Sequence, residues 1–140
     1  MGDRGNIAVQ ESAGQRVYLY GHWSGYDMPE LLRASLVRGK ERWDDPQYLA
    51  RVIFCDLVRG QEQGLTGFGI TSRIHNNEYP VIVVDCEKQE IRLEAEEDGS
   101  HEPEKPKTWP IGAYAALSKA TWGDLDESRK STDDDEEDAA

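Results

Sequence analysis

Two short runs near the start of the chain alternate apolar and polar residues with a period of two. Residues 6–11 read NIAVQE and residues 16–21 read RVYLYG, with Ala13-Gly14 between them. Alternation on both sides of a glycine-containing turn predicts a β-hairpin. Ile7, Val9, Val17 and Leu19 then share one face, and Asn6, Ala8, Gln10, Tyr18 and Tyr20 the other. The second run continues as GHWSGY, so that Arg16–Tyr26 gathers a histidine, a tryptophan and three tyrosines. If the strand persists, His22 falls in line with Tyr18 and Tyr20.

Two helices follow. Asp27-Met28-Pro29-Glu30 combines a capping residue, an early proline and an acid three residues on, and Met28, Leu31, Leu32, Ser35 and Leu36 mark one helical face before Gly39 stops it. Asp44-Asp45-Pro46 repeats the start signal. Leu49, Val52, Ile53 and Leu57 recur at helical spacing, Arg59-Gly60 ends the helix, and Trp43 is placed to staple its entry. Residues 66–74 (TGFGITSRI) have strand character interrupted by two glycines, which in a strand mark a bulge or the close approach of another backbone. His75-Asn76-Asn77 reads as a turn. The apolar run YPVIVVD (79–85) predicts a central strand buried on both faces. Residues 90–95 (EIRLEA) alternate as an edge strand does. A charged, proline-bearing loop (96–107) leads to a short helix over 109–117, capped by Thr108. The fold class expected is α+β: an antiparallel sheet made of the hairpin and a three-stranded meander, with two or three helices on one face.

Charge is unevenly spread. The chain has 140 residues, 31% of them charged, and a net charge of −12. From Ala120 to Ala140 there are nine acidic and two basic residues, a net of −7. This composition cannot bury enough apolar surface to offset chain entropy, so residues 1–119 are expected to form one domain and 120–140 a disordered acidic tail. A net negative charge disfavours direct binding to nucleic acid or to anionic membranes and suits a basic protein partner, or solubility alone. No apolar run approaches the roughly 18 residues of a membrane span. The start, MGDRGN, has no hydrophobic segment, and Cys55 and Cys86 read as free thiols, so a cytoplasmic setting is expected.

The first third resembles a family of small, uncharacterised bacterial and phage proteins. The likeness is carried by Arg4, Asn6, Ile7 and Val9, then by Tyr18, Tyr20, His22, Trp23, Gly25 and Tyr26. TGFGI (66–70) and NEYPVIVVD (77–85) are also similar to that family. The likeness spans residues 4–95, and Ser24 and Met28 depart from it. It implies a prokaryotic or phage setting and an accessory or defence-related role, and no chemistry.

The residues themselves nominate a ligand-binding set: Arg4, Asn6, Tyr18, Tyr20, His22, Trp23 and Tyr26. The aromatics can stack on a planar ligand or simply cover a sheet face. Arg4 and Asn6, on the hairpin's polar face, suit an anionic group. His22 can act as a ligand contact, a general base or a packed side chain held by a carbonyl. No catalytic residue, metal site or cofactor is assigned. The three histidines are widely spaced, the cysteines do not form a CxxC pair, and Ser24 stands in W-S-G rather than G-x-S-x-G. The expectation is a non-enzymatic protein binding a small, nucleotide-like ligand or a protein partner through the aromatic hairpin. The alternatives are an acidic, nucleic-acid-mimicking module acting on a basic partner, and a small hydrolase using His22.

Overall fold

The computed structural model describes residues 2–74 and 76–129. Strand β1 (Gly5–Ser12) and strand β2 (Gln15–Gly21) form the expected hairpin about Ala13-Gly14. Helix α1 (Met28–Arg38) and helix α2 (Pro46–Leu57) follow. Asp27 and Asp45 occupy the two N-cap positions, but neither side chain accepts a capping bond; each helix instead carries its proline in the first turn. Trp43 sits between the helices and donates its indole N–H to the Leu36 carbonyl at 2.9 Å. The chain continues through β3 (Phe68–Thr71), β4 (Val81–Asp85), β5 (Glu90–Glu94), β6 (Trp109–Pro110), α3 (Ile111–Ala115) and α4 (Trp122–Leu125).

The six strands form one sheet in the order β3-β2-β1-β4-β5-β6. The fold is α+β, but the sheet is mixed: β1 and β4 run parallel, with Ile7 beside Ile82 and Val9 beside Val84. The expected meander is therefore absent, because β3 and β4 lie on opposite sides of the hairpin. All five residues of β4 are buried. An apolar strand of this kind needs neighbours on both edges, and the seat between β1 and β5 supplies them. The strand expected at the edge, β5, is covered in part by β6, so the free edge with the longer strand belongs to β3. Part of the expected helix over 109–117 is that short strand.

Helices pack on one face. Ile7, Val9, Leu19, Ile82, Val84, Ile91 and Leu93 meet Met28, Leu32, Leu36, Leu49, Ile53, Tyr114, Trp122 and Leu125 in a continuous apolar core. On the opposite face Ala8, Val81 and Val83 form a small cluster with Tyr18 and Ile74, under the crossover that carries the chain from β3 to β4.

The fold also runs past residue 119. Trp122 and Leu125 are in the core, and Thr121 and Asp124 cap α4 reciprocally. Asp126, 1% exposed, accepts the backbone N–H groups of Glu104, Lys105 and Ser128. Acidic composition hid this segment: Asp124 and Asp126 act as local hydrogen-bond acceptors, and the two large apolar residues between and beside them supply the burial. Residues 130–140, the rest of the expected tail, lie outside the described residues, as does His75.

Candidate functional site

The turn after β2 is built from backbone up. His22 donates its N–H to the Gly67 carbonyl at 2.8 Å and accepts the Asp3 N–H at 2.8 Å. Gly67 has φ +97°, and a Cβ there would collide with the Trp23 ring, so glycine lets the indole lie against the backbone. Asp3 ties the other side. Its carbonyl accepts from Gly25 N, and its carboxylate accepts from Tyr26 N and from the Tyr79 hydroxyl. Tyr79 stacks on Trp122 at 4.7 Å, and the Trp122 indole donates to the Gly25 carbonyl. Burial, then the Asp3 carboxylate, push the Tyr79 phenol well above its ordinary range, so it stays a donor.

Within this frame the Tyr20 hydroxyl and His22 Nδ1 are 2.8 Å apart. The Trp23 ring meets His22 edge-on at 4.6 Å and is 59% exposed. Arg4 is engaged by Glu78: Arg4 Nε and its backbone N–H both reach Oε1, at 3.0 and 2.9 Å. The Arg4 N–H and guanidinium hold the Glu78 carboxyl below the usual range. Burial raises the Tyr20 phenol, with Arg4 opposing. Asn6, opposite Tyr20 across the hairpin, is 1% exposed and lies 3.5 Å from the Asn76 carbonyl. Arg4, Asn6, Tyr20 and His22 thus gather at one end of the hairpin.

Tyr18 and Tyr26 are elsewhere. Tyr18 lies on the floor of a groove on the uncovered sheet face, between Ser72, Arg73 and Ile74 of the crossover and Glu96, Glu97 and Asp98 beyond β5. The groove encloses about 540 Å³ and continues into a second hollow of about 410 Å³ that reaches Arg16 and Glu94. Tyr26 borders a separate cleft with Lys119 and Trp122. No sequence pattern marks the groove walls. Their acids were visible as a charged loop, but nothing local shows that the loop faces Tyr18.

At the far end of this face the charges are mutually satisfied. Arg92 reaches Asp85 at 2.7 Å, Glu94 at 3.0 Å and Glu90 at 3.1 Å, while Arg16 reaches Glu94 at 2.9 Å. Gln10 bridges Arg16 and Asp85. Burial pushes the Asp85 carboxyl up, but the Lys88 N–H, Arg92 and the Glu87 N–H together outweigh it and hold the carboxyl below its usual range. Cys86, next in sequence, has its thiol pushed up to about 11, chiefly by burial.

Among the described residues no three His, Cys, Asp or Glu side chains are grouped to hold a metal, and no helix is long and apolar enough to cross a membrane. Comparison of the chain with family models, curated proteins and solved structures gives no match. The class defined by fold and site is an α+β protein with helices on one face of its sheet and loops and a charge network on the other.

Proposed function

We propose that this is a non-enzymatic binding protein that takes a cationic group, such as an arginine or lysine side chain of a partner protein, in the groove over Tyr18. The observation that carries the reading is the lining: a tyrosine floor with Glu96, Glu97 and Asp98 on one wall against the guanidinium of Arg73 on the other, while Arg16, 6.0 Å from the Tyr18 ring at the far end, is held by Glu94. An aromatic floor among carboxylates favours a cation both by field and by ring contact. The chain's net charge of −12 steers a basic partner toward it. An anionic ligand fits less well, because Arg4, the side chain that would meet a phosphate, is already held by Glu78. The resemblance of residues 4–95 supports a bacterial or phage protein with an accessory or defence-related role, and the two free thiols suit a cytoplasmic setting.

A second reading, a small nucleotide-like ligand at the His22 turn, is favoured by the exposed Trp23 ring beside the Tyr20–His22 pair. One titration series separates the two. An arginine-rich nonapeptide and AMP are each added to the isotope-labelled protein and followed by amide chemical shifts. The groove reading expects the peptide to shift residues 72–74 and 96–98, with binding weakened by salt and by about tenfold in Tyr18→Ala. AMP shifts confined to residues 20–26 and lost in His22→Ala, with no response to the peptide, would transfer the function to the turn. No response to either probe overturns both.

A further inference from the structure

The free edge of β3 has a pattern that neither reading uses. Its backbone directions follow from three bonds. Arg4 and Gln10 turn their carbonyls toward β4, accepting from Glu78 and Cys86 at 3.0 and 2.9 Å. Odd residues of β1 therefore bond β2, through the pairs Ile7–Leu19 and Val9–Val17. Even residues of β2 must then bond β3, as His22 does to Gly67. Tyr20 faces Gly69 and Tyr18 faces Thr71 across β2–β3, so Gly69 and Thr71 spend their backbone groups inward. Phe68 and Ile70 present theirs to the outside.

Apart from its length of four residues, this edge lacks the usual protection. Residues 63–72 (QGLTGFGITS) contain no charge and no proline, although nearly a third of the chain is charged. Ile70 is 59% exposed, and Gly69 has open space where a Cβ would stand.

We propose that the β3 edge pairs antiparallel with the β3 edge of a second copy, about a two-fold axis at Gly69. The arrangement is self-complementary. Phe68 of one copy falls opposite Ile70 of the other, and these are the two residues with outward N–H and C=O groups, so both pairs close their hydrogen bonds. Their side chains share the helix-side face, where an aromatic beside a β-branched residue is a favourable cross-strand pair. Gly69 meets Gly69 at a non-hydrogen-bonded position, where strands approach most closely, about 4.5 Å between Cα atoms. Any extended strand could match the backbone spacing, but a second copy also repeats the Phe68–Ile70 pair on both sides of the Gly69 approach by symmetry. The uncharged stretch is also where two chains of net charge −12 repel least. The joined sheet places two Tyr20–His22 pairs on one face, roughly 14 Å apart across three strand spacings, with only glycine between the tyrosines.

The test is sedimentation of the full chain from about 1 µM to about 1 mM, the range in which a short seam saturates. The 15.8 kDa monomer is expected to convert to a dimer. Ile70→Lys is expected to raise the dissociation constant more than tenfold with an unchanged melting midpoint, since the side chain is exposed in the monomer. Register is read by oxidation in a Cys55→Ser background. Gly69→Cys is expected to form a covalent dimer, within the Cα spacing a disulfide tolerates. Thr71→Cys, which falls opposite Gly67, is not. A chain that stays monomeric throughout leaves the edge to another protein and overturns the proposal. So does a dimer indifferent to Ile70→Lys, or one that cross-links through Thr71→Cys in preference to Gly69→Cys.

Discussion

The two faces of the sheet are made by the same strands and held by different physics. On the helix side, alternate residues of β1, β2, β4 and β5 are aliphatic and lie under four helices. Each such side chain contributes roughly 1.5–3 kcal/mol by leaving water. On the other side the intervening positions are Gln10, Arg16, Asp85, Arg92 and Glu94, which satisfy one another across four strands. Ion pairs among largely buried side chains of this kind add little net stability, because the cost of desolvating the charges offsets their attraction. What they do is keep a charged face ordered without a covering layer, which leaves Tyr18 and the acidic wall beside it open to a partner. Period-two alternation therefore divides labour: one face packs under the helices and the other carries the charge network.

The largest expected effect breaks the covered face. Trp122→Ala removes a core side chain, its stack on Tyr79 and its bond to Gly25, and is expected to cost about 3–5 kcal/mol in chemical denaturation. Ending the chain after Lys119 is expected to do at least as much, whereas ending it after Arg129 removes none of these contacts. A truncation at 119 that melts like the full chain would show that α4 is dispensable to the core.

The next effect belongs to the open face and depends on pH. Asp85 is 1% exposed, and Asp85→Ala takes one of three carboxylates from Arg92 and leaves the Lys88 and Glu87 N–H groups without their acceptor, an expected loss of about 1–3 kcal/mol at neutral pH. Because the folded carboxyl titrates below its unfolded value of about 3.9, its contribution is present above that pH and is lost as pH falls through the lower, folded value. Glu94 is depressed too: burial opposes, but Arg16 and Arg92 prevail. The difference in stability between wild type and Asp85→Ala should therefore shrink as unfolding is measured at successively lower pH below about 4. A constant difference would assign the loss to packing rather than charge.

Periodicity made the hairpin, α1, α2 and the buried β4 legible, because each is specified by residues a few positions apart. The parallel seat of β4 was not, since YPVIVVD demands two neighbours without naming them. The same holds for the site. Tyr20 and His22 lie two apart on one strand, and alternation alone brought them together. Glu78 and the 96–98 wall reach the hairpin through a crossover and a loop, and no local spacing encodes such returns. Trp122 and Leu125 were hidden differently: a compositional window averages two core residues with the acids around them, and only the T-W-G-D capping pattern separates them.

The smallest effect sharpens the comparison most, because it touches the open face without disturbing the core. Tyr20→Phe removes only the hydroxyl that meets His22 Nδ1, and the ring keeps its place opposite Asn6. The expected loss is about 0.5–1 kcal/mol, the net value of one such hydrogen bond. Stability alone would not distinguish this from a generic surface change, so the histidine itself is the better readout. With the tyrosine hydroxyl donating to Nδ1, the neutral ring carries its proton on Nε2, which long-range proton–nitrogen spectra of ring-labelled protein report directly. Tyr20→Phe should relax that preference while leaving Trp122 and the core resonances unmoved. If the ring stays fixed on one tautomer without the hydroxyl, another group orients His22, and the pair is not the unit that the turn presents to a ligand.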